Sequence, residues 1–125
     1  MQLGYVILHV PDVAEAVAFW ERAFGLTRRF VHESGYAELE TGGTALAFAA
    51  DALTMEHGLP PRPDGLPFGM EVGLVTPDVA AAYRRAVDAG AVSVVAPDAR
   101  PWGQVVAYVR DLNGVLVELC TPMGG

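Results

Sequence analysis

The sequence holds a single cysteine, Cys120, in 125 residues. One thiol excludes an internal disulfide and fits a reducing, cytoplasmic setting. Positive charge is also scarce: eight Lys and Arg stand against fifteen Asp and Glu, a formal charge of −7. A nucleic-acid partner needs a basic face, and the strand arginines Arg28, Arg29 and Arg110 are too few to make one. No apolar run approaches the ~20 residues of a membrane span, and no basic-then-apolar leader opens the chain, so no membrane partner is expected. No Gly-rich phosphate loop precedes a helix, and no Ser, His and Asp stand in a nucleophile-elbow context. What remains is a chain 52% hydrophobic and 18% charged. That composition is globular, and the length suits a single domain over residues 1–125 with one real core.

Alternation and turn residues divide the chain. Tyr5 to Val10 reads as a strand with Val6, Leu8 and Val10 on one face and Tyr5, Ile7 and His9 on the other. Pro11 stops it, Asp12 is a helix N-cap, and Val13, Ala16, Val17, Trp20 and Phe24 recur at helical spacing up to Gly25. Trp20 and Phe24 therefore read as core. Leu26 to His32, Tyr36 to Glu40 and Thr44 to Ala49 read as three strands joined by Gly-containing turns. The stretch from Asp51 to Phe68 carries four prolines and reads as an irregular connection. The first pattern then returns: a strand from Gly69 to Val75, an Asp78-capped helix from Val79 to Ala89, and strands at Val92 to Ala96, Gln104 to Arg110 and Val115 to Cys120. His32 and His57, in polar loop-like contexts, read as surface residues.

The two halves are one βαβββ unit written twice. Asp12-Val13-Ala14 recurs as Asp78-Val79-Ala80, Gly25 as Gly90, and the Gly-led last strand at Gly43 as Gly114. The expected fold is α+β, with half-modules 1–50 and 69–125 about a connection at 51–68. Side by side, the modules would form a curved mixed sheet with helices on the outer face and a concave groove on the other.

The last strand carries one carboxylate, Glu118, on the face opposite Val115, Val117 and Leu119. A charge placed there is either a rim residue in water or part of a site. Cys120, at the end of the same apolar strand with no histidine predicted nearby, reads as inert.

The opening Tyr5-Val-Ile-Leu-His-Val-Pro-Asp12, the helix end Phe19-Trp-Glu-Arg-Ala-Phe-Gly25, and Trp102-Gly103 through Asp111-Leu-Asn-Gly114 to Glu118-Leu119 resemble the vicinal oxygen chelate superfamily. That superfamily comprises glyoxalases, extradiol dioxygenases, fosfomycin-resistance enzymes and bleomycin-resistance proteins. In metal-dependent members, the resemblance implies, each half gives one ligand from its first strand and one from its fourth. The matching positions here are Tyr5, Ala47, Glu71 and Glu118. Alanine ligates nothing, and two carboxylates alone hold a divalent ion loosely. His9 lies four residues along the strand, roughly 13 Å from Tyr5, too far to join the same coordination sphere.

The chain is therefore closest in character to the metal-free, bleomycin-resistance-like members. No cofactor is expected, and enzymatic activity is in doubt because the ligand quartet is incomplete. Tyr5, Ile7, His9, Glu38, Ala47, Glu71, Val106, Tyr108 and Glu118 share the concave face, with Trp102 on the loop above. Aromatics beside carboxylates suit a flat or cationic organic ligand, such as an antibiotic. Tyr5 and Trp102 also fit a plain core role. The resemblance further implies a homodimer. Two other readings stand beside drug binding: a metal-dependent glyoxalase-like lyase or dioxygenase using Glu71 and Glu118, and a catalytically silent accessory protein.

Overall fold

The computed structural model describes residues 1–59 and 70–122. The chain forms two compact units, Met1–Gly65 and Leu66–Gly125, here called the first and second modules. The first contains β1 (Tyr5–Val10), α1 (Val13–Phe24), β2 (Thr27–His32), β3 (Tyr36–Glu40), β4 (Ala45–Ala50) and α2 (Asp51–Glu56). The second contains β5 (Val72–Val75), α3 (Val79–Asp88), β6 (Val92–Ala99), β7 (Val105–Arg110) and β8 (Leu116–Cys120). The fold is α+β. Each module has its own four-stranded mixed sheet, in the order β1-β4-β3-β2 and β5-β8-β7-β6.

Both long helices start as the capping residues dictate. The Asp12 carboxylate accepts from the Glu15 amide at 3.0 Å, and the Asp78 carboxylate from the Ala81 amide at 3.0 Å. Gly25 ends α1 at φ 69°, a left-handed cap that a side chain would strain. The apolar stripe of α1 buries Val13, Ala16, Val17, Phe19, Trp20 and Ala23, together with Leu39 and Phe48 of the sheet. Trp20 meets Phe24 and Phe48 with ring centres 4.7 and 5.7 Å apart. At about 1.5–3 kcal/mol for each large buried side chain, this cluster anchors the first module. The helix of the second module is alanine-rich and buries only Val79 and Ala86. Its sheet supplies Ala107, Val109, Val117 and Leu119.

Pairing registers make the repeat explicit. Ile7 lies opposite Ala47 across the parallel β1–β4 pair, and Gly73 lies opposite Glu118 across β5–β8. One strand further in, Glu38 pairs with Ala47 and Tyr108 with Glu118. Residues 7, 47 and 38 thus correspond to 73, 118 and 108.

Several expectations need correction. The connection assigned to residues 51–68 opens with a helix, α2, since Asp51-Ala-Leu-Thr-Met-Glu56 is rich in good helix formers and its prolines come only later. Residues 60–68 of that connection lie outside the described residues. The first strand of the second module begins at Val72 rather than Gly69, because its ladder with β8 starts at Val72–Val117; Gly69 is also outside the described residues. β6 runs past Ala96 to Ala99 through Pro97, which an edge strand accommodates because one side needs no ladder bond.

Candidate functional site

The opening residues of both first strands leave one sheet face uncovered. In the first module that face shows Tyr5 (58% exposed), Ile7 and His9, while Leu8 and Val10 turn into the core. Tyr5 is not a core aromatic. Ala47 is fully buried beneath its neighbours, and Ala45 and Ala49 are also buried. The His9 ring shares a 2.8 Å hydrogen bond with the Thr54 hydroxyl of α2. His32 and His57 are exposed, as their contexts suggested.

The polar centre of this face is Glu38, which is buried. Its carboxylate accepts from the Tyr36 hydroxyl at 2.7 Å and from Arg29 Nη1 at 3.1 Å. Arg29 reaches this face through a register irregularity between Arg28 and Phe30 in the β2–β3 pair. It also donates Nε and Nη2 to Glu40 at 2.7 and 3.1 Å. Arg28 takes the other direction and pairs with Glu21 of α1 at 2.8 Å. Phe30 packs on Tyr36, ring centres 5.9 Å apart. Burial, the hydrogen bond to Glu38 and its charge push the Tyr36 phenol up to about 12. Sequence reasoning missed Arg29, Tyr36 and Phe30. Alternation alone does not put an arginine beside Glu38, because the β2 irregularity resets the period.

The corresponding face of the second module is electrostatically unlike the first. Glu118 of β8, half-buried, lies beside Tyr108 of β7 and beside Gly73 of β5, and Glu71 stands two residues before Gly73. A Cβ added at Gly73 would meet nothing within 4 Å, so there is open space next to the carboxylates. Desolvation, then the hydrogen bond to Glu118 and its charge, raise the Glu71 carboxyl above its ordinary range. The protonated form of Glu71 then donates to Glu118. Burial and the two carboxylates likewise raise the Tyr108 phenol, while Arg100 opposes that rise. Burial and the same carboxylates raise the Cys120 thiol, whose Sγ lies 3.8 Å from the Leu74 carbonyl. A buried thiol held protonated is a poor nucleophile, in keeping with an inert role.

Val106 is buried beside Cys120 and lines the floor rather than the surface. Trp102 is 59% exposed and therefore not core. Its indole N–H donates to Gln104 Oε1 at 2.7 Å, and the Gln104 amide in turn donates to the Thr121 carbonyl at 2.8 Å. The hydrogen bond thus orients a ring that stays largely exposed.

The four positions that the resemblance matches to metal ligands hold Tyr5, Ala47, Glu71 and Glu118. Ala47 offers no donor atom. Among the described residues no three or more His, Cys, Asp and Glu side chains come together in a way that could hold a metal ion. Tyr5, Ala47, Glu71 and Glu118 make a donor set that does not fit a resident transition metal. No helix among the described residues is long and apolar enough to cross a membrane.

The glyoxalase-related enzyme from Fulvimarina pelagi has a similar structure, with a TM-score of 0.82 and 23% identity over 96% of this chain and 87% of that one. The glyoxalase/bleomycin resistance protein/dioxygenase from Nocardioides matches at a TM-score of 0.77 and 25% identity, over 100% of this chain and 85% of that one. TioX from Micromonospora sp. ML1 matches at 0.71 and 25% identity, over 97% and 98%. No curated protein matches the sequence. The description Glyoxalase/Bleomycin resistance protein/Dioxygenase superfamily matches residues 2–119. With that match spanning nearly its whole length, the chain belongs to the Glyoxalase/Bleomycin resistance protein/Dioxygenase superfamily.

Proposed function

We propose that this protein binds a small organic molecule without a resident metal, and that the ligand carries a cationic group received by Glu71 and Glu118. The observation that carries this reading is the paired carboxyls beside the open space over Gly73, with the Tyr108 phenol next to them. Two carboxyls held together repel when both ionise, and a ligand cation relieves that repulsion. The hydrogen-bonded, exposed indole of Trp102 offers an aromatic surface for a planar part of the ligand, the class to which many antibiotics belong. In the first module Arg29 already neutralises Glu38, so the cation is assigned to the second.

The protein is also proposed to act as a homodimer. In each module's own sheet the first strand is an edge, and exposed Tyr5, Ile7, Val75 and Val92 lie on edge strands that a symmetric copy would cover.

The test is calorimetric titration of planar aromatic cations into the wild-type protein and into Glu118→Gln, which preserves shape while removing charge. Loss of a charged partner should weaken binding by roughly 1–3 kcal/mol. Affinity should also fall as salt rises. Equal binding by both proteins, or selective binding of anions, refutes the reading.

A further inference from the structure

The second-module face also carries a cation. Asp98 of β6 pairs with Val106 of β7, and Val106 with Cys120 of β8, so Asp98 shares the face of Cys120 and Glu118. Arg100 follows two residues later, on the same side of the strand line, where its amide donates to the Gln104 carbonyl at 2.7 Å. The tight Arg100–Gln104 loop is closed by the Gly103 amide on the Arg100 carbonyl at 3.0 Å. Tyr108, between the two ends, feels Glu118 and Glu71 from one side and Arg100 from the other.

Arg100 is only lightly committed. Nη1 approaches Asp98 at 3.4 Å, and the Asp98 side chain is 62% exposed. An exposed pair of that length holds weakly, and a guanidinium fork has further donors suited to a carboxylate. Arg110, also on this face, is turned to the Gly114 carbonyl at 2.9 Å. From Glu118 to Arg100 is about four residues along and two strands across, on the order of 16 Å between Cα atoms. The long arginine stem shortens the gap between the charges to on the order of 10 Å.

We propose that the ligand of this face is amphoteric, with its cationic group at Glu71 and Glu118 and an anionic group, such as a carboxylate, at Arg100. A plain cation would meet repulsion from Arg100, whereas a zwitterion of matching length meets complementary charge at both ends. This rests on the cation reading given above and adds the second charge and its spacing.

Two probes of equal length separate the ideas: para-(aminobutyl)benzoic acid and the corresponding benzamide, titrated calorimetrically against wild type, Arg100→Gln and Glu118→Gln. Wild type should bind the acid about five- to ten-fold more tightly than the amide. Arg100→Gln should bring the acid down to the level of the amide, Arg100→Lys should restore part of the difference, and Glu118→Gln should weaken both probes. If wild type binds the two probes equally, or if Arg100→Gln keeps the preference, the amphoteric ligand is refuted while the cation site stands. If neither probe binds wild type, both fall.

Discussion

Asp111 decides how β8, and with it Glu118, is set into the sheet. Its buried carboxylate accepts from the Asn113 and Val115 amides, both at 2.8 Å, while its own amide donates to the Val115 carbonyl at 3.0 Å. This closes the turn between β7 and β8 and fixes the register in which Arg110 meets Leu116 and Tyr108 meets Glu118. Replacing Asp111 with Ala removes both charge-assisted hydrogen bonds at once, since the two amides share one carboxylate oxygen. Each is worth about 1.5–3 kcal/mol when its donor stays dry. Asn113 and Val115 are half-exposed, so water recovers part of that, leaving a loss of about 2–3 kcal/mol. For a chain of this size each kcal/mol moves the melting temperature by about 4 °C, so Tm should drop by about 8–12 °C. Asp111→Asn keeps an acceptor oxygen in place and should lose only about 1 kcal/mol. Urea unfolding followed by circular dichroism gives both values. An Asp111→Ala protein within about 0.5 kcal/mol of wild type would refute the claim that this side chain holds the turn.

Gly35→Ala should destabilise the first module by at least about 1–2 kcal/mol, read by thermal melting. Gly35 sits at φ 99°, its added Cβ would lie 2.8 Å from Ala50 Cβ, and its carbonyl accepts from the Ala50 amide at 2.8 Å. The Glu71 carboxyl is raised in the fold by desolvation and by Glu118, so between its unfolded and folded pKa the folded state binds more proton there than the unfolded chain. Its contribution is intact below the unfolded carboxyl pKa and declines as pH rises through the folded one. Glu71→Gln should therefore gain stability over wild type at pH 7, with the difference shrinking toward pH 4; a pH-independent difference in urea unfolding would contradict the raised carboxyl. Sedimentation at micromolar concentration should give about twice 13.2 kDa, and a monomer would remove the dimer proposal.

Local chemistry alone determined much of this protein. Asp12 and Asp78 name the helix starts, the 3.6-residue stripe from Val13 to Phe24 names the core face of α1, and period-two alternation names the strand faces. These rules act within a few residues, so a single sequence reveals them. The resemblance matched Ala47 with Glu118; in the sheets Ala47 lies opposite Ile7 and Glu38, and Glu118 opposite Gly73 and Tyr108. Pairing geometry decided the rest. The register irregularity in β2 turned Arg29 onto Glu38, so one module's carboxylate is neutralised while the other's stands beside a second carboxyl. In β6 two single-residue shifts, between Ser93 and Val95 and between Val95 and Asp98, cancel, so Asp98 and Arg100 keep the Glu118 face that alternation from Val92 gives. An inserted residue in a strand flips every side chain beyond it, and only the pairing partner shows where that happens. Tertiary packing likewise left Tyr5 and Trp102 in the open and closed Ala47 over, because exposure depends on neighbours that lie far along the chain.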